Sequence, residues 1–212
     1  MPMTNPIFRQ IVLAALCAAV SSSAFSQGRG SAEFPSERIF NALELKEGAT
    51  VGEIGAGRGQ LSLEAAKVVG ATGKVYTSEL GDDRVRSLEG AVKKSGLAHV
   101  TVVAGDPNRT NFPDSCCDAI FMHNVYHHFD DPIAMNKSIL QSLKPGGRVA
   151  IVDFVPNWGR EAQEPRDRDQ EKTHGVTADS VARELKQAGF EAVASEAGGD
   201  KWFIVVGIKP AR

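Results

Sequence analysis

The chain has 212 residues, 42% hydrophobic and 24% charged, which is the balance of a globular domain in water. That length suits one domain, and the composition excludes a disordered chain, a collagen-like repeat and a polytopic membrane protein. Twenty-four basic against 26 acidic side chains leave a formal charge of −2, which offers no electrostatic footprint for nucleic acid.

Met1 to Gln10 is polar with Arg9 as its lone charge, Ile11 to Val20 is unbroken apolar sequence, and small residues follow to Ser26. A basic start, a short apolar run and small residues at Ala24 and Ser26 describe a secretory signal over residues 1–26, cut before Gln27. Ten apolar residues reach about 15 Å as a helix, half of a bilayer core, so no integral span is expected once the signal is removed. Cleavage places the remaining domain, residues 27–212, in the periplasm or outside the cell. Retention leaves it anchored by its N-terminus, or cytoplasmic. Cys17 leaves with the signal, and the adjacent Cys116 and Cys117 would close a strained ring, so no disulfide is expected.

The next segments alternate between two periodicities. Phe34 to Leu45 predicts an opening helix with Ser36 as N-cap, and Ala49 to Ile54 a short strand running into a glycine-rich turn. Gln60 to Val69 is a helix with a buried face, Lys74 to Leu80 a strand, and Asp83 to Ser95 a helix stopped by Gly96. Val100 to Ala104 and Asp118 to Met122 are strands; Pro132 to Leu143 is a helix ended by Lys144-Pro145-Gly146-Gly147, and Arg148 to Phe154 a fifth strand. Residues 156–172 are polar and read as a long, partly mobile loop. Thr177 to Ala188 is a helix capped by Gly189, followed by strands at Glu191–Glu196 and Trp202–Ile208 that pair as a hairpin. Strands separated by helices imply right-handed crossovers. The expected fold class is therefore α/β: a Rossmann-like, seven-stranded, mostly parallel sheet with an antiparallel last strand and helices on both faces.

In such sheets ligands lie beyond the carboxyl ends of the strands, so the chemistry belongs in the turns. The first turn reads Glu53-Ile54-Gly55-Ala56-Gly57-Arg58-Gly59-Gln60. Bare backbone at Gly55, Gly57 and Gly59 permits a tight turn and close approach of a ligand. A dinucleotide fingerprint wants its last glycine where Gln60 stands, and the Glu53 carboxylate suits a cationic ligand better than a pyrophosphate. Glu79, at the end of the second strand and followed by Leu80, can accept both hydrogen bonds of a ribose diol. Asp106, after Gly105 at the end of the third strand, can accept from an exocyclic amine such as adenine N6.

With these residues in place the sequence resembles the class I S-adenosylmethionine-dependent methyltransferases. Glu53 to Gly59 match the family's first motif, Glu79 its ribose-binding acid, and Gly105-Asp106 its adenine-contacting position. Phe112-Pro113-Asp114 through Phe121 and Leu143 to Arg148 match the segments before the fourth and fifth strands, and the likeness runs over residues 34–209. It implies S-adenosylmethionine as cofactor, held by Glu53, Gly55, Ala56, Gly57, Gly59, Glu79, Leu80, Gly105, Asp106 and the backbone at Met122 and His123. The branch it resembles is the small-molecule one typified by ubiquinone and menaquinone methyltransferases, so a small-molecule acceptor is expected.

The turn after the fourth strand, Met122 to Pro132, supplies the substrate side under this resemblance. His127 is the first choice for a base or for acceptor orientation, with Tyr126 and His128 behind it. No metal is expected: His123, His127, His128 and Asp130 lack a regular helix to order them. His174 reads as an ordinary loop histidine, and Cys116 and Cys117 lie before the fourth strand, away from its carboxyl end. Two other functions share the sheet: a non-catalytic nucleoside- or donor-binding protein of the cell envelope, and an NAD-dependent oxidoreductase, disfavoured by Glu53 and Gln60. Oligomeric state is not encoded in these patterns.

Overall fold

The computed structural model describes residues 34–156, 160–198 and 201–211. The signal segment read at residues 1–26 lies outside them. The elements follow the predicted order: α1 (Ser36–Ala42), β1 (Thr50–Ile54), α2 (Gln60–Val69), β2 (Lys74–Glu79), α3 (Asp82–Ser95), β3 (Val100–Ala104), β4 (Cys117–His123), α4 (Pro132–Ser142), β5 (Leu143–Phe154), α5 (Ala178–Ala188), β6 (Glu191–Ala197) and β7 (Trp202–Ile208). One turn of 3-10 helix follows β4 at Tyr126–His128, and another lies at Pro165–Asp167.

The seven strands form one sheet in the order β3-β2-β1-β4-β5-β7-β6. The pairs among β3, β2, β1, β4 and β5 are parallel, and β7 is antiparallel to both β5 and β6. The chain moves outward from β1 to β3, then returns to place β4 on the other side of β1. That reversal opens a crevice at the carboxyl ends of β1 and β4.

Alternation along each strand builds two cores. On one face Ile54, Ile120, Met122, Val149 and Ile151 pack with Met135 and Ile139 of α4 and with Val181 and Leu185 of α5. On the other, Val51, Val75, Ala119, Phe121, Ala150 and Val152 pack with Ile39 and Phe40 of α1, Ala65, Ala66 and Val69 of α2, and Val92 of α3. A parallel sheet covered on both faces reads as the near-continuous apolar runs seen in β4 and β5.

Three local expectations are corrected. Ser36 does not cap α1: the N-cap is Pro35 and no side chain caps the helix. The predicted turn at Lys144–Gly147 lies within β5, as an irregularity where β4 advances from Cys117 to Ala119 while β5 advances from Leu143 to Arg148. Cys116 and Cys117 are joined by a disulfide, their Cα atoms 3.8 Å apart, where none was expected. Cys116 precedes β4 and Cys117 opens it, so strand alternation does not separate the two side chains, and both pack against the same core.

Candidate active site

The strand ends and the turns that follow them enclose a cavity of about 480 Å³, within the usual size for a small-ligand site. Its floor is the glycine-rich turn. Gly55, Gly57 and Gly59 all have positive φ (68°, 54° and 78°), a backbone that glycine adopts without strain. A Cβ on Gly55 would lie 2.6 Å from Val125 Cγ2, so only glycine lets the loop after β4 close over the turn. A Cβ on Gly57 would meet nothing within 4 Å, which leaves that face of the turn open.

Glu79 stands at the end of β2 and ties this floor to its wall. Its Oε2 accepts from the Gly57 backbone N–H at 2.6 Å and its Oε1 from the Leu80 N–H at 2.9 Å. Arg84 Nε lies 3.6 Å from Oε1 and donates to the Leu80 carbonyl. Just beyond the end of the neighbouring β3, Asp106 accepts from the Asn108 N–H at 2.9 Å and faces Arg109 Nε at 3.4 Å. Gly105 keeps β3 close to β2, since a Cβ there would lie 2.9 Å from the Glu79 carbonyl oxygen. Asn124, in the left-handed region at φ 61°, turns the chain out of β4 at the cavity wall and donates its N–H to the Val152 carbonyl at 2.8 Å.

Beyond Asn124 the histidines separate. His127 is fully buried, and Asp153 at the end of β5 grips it twice: by the backbone N–H at 3.1 Å and by Nδ1 at 2.9 and 3.0 Å. A carboxylate at Nδ1 fixes the proton there and leaves the lone pair on Nε2. That Nε2 faces His174 Nε2 at 3.2 Å. His128 is half-exposed on the cavity wall, with Nδ1 3.3 Å from Asp169. Burial first, and then the neighbouring His127, push its imidazole below the ordinary value against the opposing pull of Asp169.

Residues 52–151 match the methyltransferase-domain family. The chain is 30% identical over 115 residues to the ubiquinone/menaquinone biosynthesis C-methyltransferase of Ectopseudomonas mendocina, covering 52% of this chain and 43% of that protein. It is 27% identical to a S-adenosylmethionine-dependent methyltransferase of Aquifex aeolicus in its crystal structure, with a TM-score of 0.71 over 83% of this chain and 90% of the other. Residues 52–151 thus carry a methyltransferase domain, and the chain is similar in sequence and fold to the class I S-adenosylmethionine-dependent methyltransferases. It spans less than half the length of the curated relatives it matches. A phosphoethanolamine N-methyltransferase of Haemonchus contortus, seen in complex with S-adenosylmethionine, shares the fold alone, at 18% identity and a TM-score of 0.69 over 82% of this chain and 52% of that one.

Within this methyltransferase domain the structure gathers Gly55, Glu79, Leu80, Gly105, Asp106 and His128 around the one cavity. Ala56 and Gly57 continue the turn beside Gly55, their N–H groups donating to the Ser78 carbonyl at 2.9 Å and to Glu79, and Gly59 caps α2. Other predicted site residues stand apart. Glu53 shares the strand face of Val51 and points at α2, where Ser62 Oγ is hydrogen-bonded to its carboxyl and to Thr77 Oγ1. Burial above all pushes Glu53 up to about 7, with the Ser62 hydrogen bonds opposing and the Glu79 and Glu64 charges adding to the rise. Met122 lies in the core, and the His123 ring stacks on Trp202 at 5.1 Å. Tyr126 is fully buried; its hydroxyl donates to Glu184 at 2.9 Å and accepts from Asn136 at 2.8 Å.

The contacts that hold the turn after β4 and the polar segment facing it in place lie mostly outside the predicted site residues. Arg168, in the segment expected to be partly mobile, is buried and forks onto Glu184 at 2.6 and 3.1 Å, with Glu161 at 3.3 Å. It ties its segment to α5 and, through Glu184, to Tyr126. Asp153 carried a legible signal as the one acid in the apolar run Val149–Phe154. Asp169 and Arg168 carried none, being two charges among many in a polar stretch.

Proposed function

We propose that the protein transfers a methyl group from S-adenosylmethionine, held in this cavity, to a small-molecule acceptor. The observation that carries the reading is convergence: the open glycine turn, the Glu79 carboxylate and Asp106, far apart in sequence, line one cavity at the switch point of the sheet. The residues present suit the donor. A carboxylate offers about four acceptor positions, of which Glu79 commits two to Gly57 and Leu80 and keeps the rest for a ribose diol. Asp106 suits the adenine side, and Gly57 lets the donor lie against bare backbone. When bound, the donor supplies an electrophilic methyl group that the acceptor's lone pair takes while the carbon–sulfur electrons stay on sulfur. His128, Asp169, Asn124 and Phe129 form the opposite wall and orient the acceptor. His128 is the imidazole on that wall positioned to take the proton an O- or N-acceptor releases. His127 and Tyr126 stand behind it and hold its turn in place. Ile54, Val125 and Met135 make part of the lining apolar, which favours a compact organic acceptor over a highly charged one.

Calorimetric titration with S-adenosylmethionine, its demethylated product and NAD tests the reading. Both sulfur compounds should bind once per chain. Failure of both at millimolar levels refutes the proposal, and saturation by NAD alone favours the oxidoreductase. Residues 1–26 are proposed as an export signal that delivers the domain outside the cytoplasm. N-terminal sequencing of the protein from a periplasmic or culture fraction should begin at Gln27. Among the described residues no helix is long and apolar enough to cross a membrane.

A further inference from the structure

Behind the acceptor wall, His127, His174 and Asp169 bring three ligand atoms within 4.8 Å of one another. We propose that they form a site for a divalent transition-metal ion, zinc by ligand set and geometry. Ion binding there goes beyond methyl transfer; only the role of the ion towards an acceptor rests on the proposed function. His127 Nε2 and His174 Nε2 are 3.2 Å apart, and His174 Nε2 lies 3.5 Å from Asp169 Oδ1. Two donors each about 2.0–2.1 Å from a tetrahedral zinc stand roughly 3.3 Å from each other, so both edges already have the spacing of a coordination shell. The third edge closes by rotation of the exposed Asp169 side chain.

Three further features favour a cation over a simple contact between imidazoles. First, Asp153 holds Nδ1 of the buried His127 and so commits its Nε2 lone pair to the cluster. A carboxylate behind a ligating imidazole, fixing its tautomer and raising its basicity, is the usual outer shell of a histidine metal ligand. Second, the neighbourhood is acidic. Asp153 is fully buried beside His127, and the ion pairs of Asp169 among the described residues are with His128 and His174, without lysine or arginine. Third, the ligands are held by separate anchors. His127 sits on the turn after β4, while Arg168, locked onto Glu184, fixes the segment that carries Asp169 and His174. The Gly175 N–H adds a bond to the Arg168 carbonyl at 3.0 Å.

Three protein ligands leave a fourth tetrahedral position open. Asp169 and the adjacent His128 both line the cavity, so an ion held there borders the space proposed for the acceptor. An acceptor with an oxygen donor, such as a hydroxyl beside a carbonyl, fits such a position. Borderline imidazole and carboxylate ligands select zinc or a neighbouring first-row ion over magnesium or calcium.

The test is metal binding by the purified chain, stripped with chelator and dialysed against zinc or cobalt(II), with no methyl donor present. The expected result is one ion per chain by elemental analysis and a tetrahedral cobalt(II) absorption band. Both should be lost in H174A, which removes a partly exposed loop side chain and is checked for folding by thermal unfolding, and affinity should fall about 10–100-fold in D153N. Substoichiometric binding by the wild type, or equal binding by wild type and H174A, overturns the site. Donor titration on the same stripped protein reads the methyltransferase proposal separately.

Discussion

Removal of the Glu79 carboxylate should weaken donor binding far more than it weakens the fold. Glu79 accepts from Gly57 at 2.6 Å and Leu80 at 2.9 Å, so two of its acceptor positions serve the protein and two remain for a ligand diol. E79A deletes the ligand's charged partner and releases the Gly57 N–H from its place in the turn. A hydrogen bond to a charged group contributes about 1.5–3 kcal/mol, so the dissociation constant for S-adenosylmethionine should rise roughly 10- to 150-fold. E79Q sharpens the prediction. Its amide keeps the shape but turns one oxygen into a donor, which opposes either the Gly57 or the Leu80 N–H. It should therefore lose nearly as much as E79A despite being isosteric. Calorimetry with S-adenosylmethionine and its demethylated product reads both variants, with thermal unfolding as the control for folding. Unchanged donor affinity in E79A, with the fold intact, would refute the assignment of this carboxylate to the donor.

R168M strands the buried Glu184 carboxylate, and loss of one member of a buried pair costs about 3–5 kcal/mol. The double variant R168M/E184M should recover most of that in urea unfolding, and a double as unstable as the single would place the cost elsewhere. Glu53, raised to about 7 from 4.5, favours the folded state while protonated. Its contribution, roughly 3 kcal/mol, is complete below about pH 4.5 and disappears as pH rises through about 7. E53Q should remove that decline from the stability–pH curve, and parallel curves for the two proteins would refute the assignment. G55A puts a Cβ 2.6 Å from Val125 at φ 68°, whereas G57A at φ 54° meets nothing within 4 Å. G55A should lose roughly 2–4 kcal/mol and G57A about 1–2, while G57A crowds the donor. Equal losses in unfolding experiments would show that the Val125 contact does not matter.

Local signals were strong enough to fix most of the architecture from sequence. The helix at Gln60–Val69 and the strands at Val100–Ala104 and Trp202–Ile208 have the expected bounds, because an apolar period and a glycine or polar break agree at both ends. The donor side was legible for a related reason. Backbone without Cβ and acids at strand ends are one-residue signals at positions the sheet dictates, so Gly55, Glu79, Gly105 and Asp106 meet at one cavity. The acceptor side was not. Whether His127, His128 or Tyr126 faces the cavity depends on a three-residue turn whose rotation no periodicity encodes.

Sequence alone thus determined the class of sheet, the crevice and the motif that lines it, since these follow from alternation, handedness and bare backbone. Tertiary structure alone decided that Glu53 turns away towards Ser62, that Arg168 anchors a polar segment, and that His174 and Asp169 arrive beside His127. Those outcomes rest on contacts between residues as many as 47 positions apart, where burial and charge pairing select partners that local spacing does not specify.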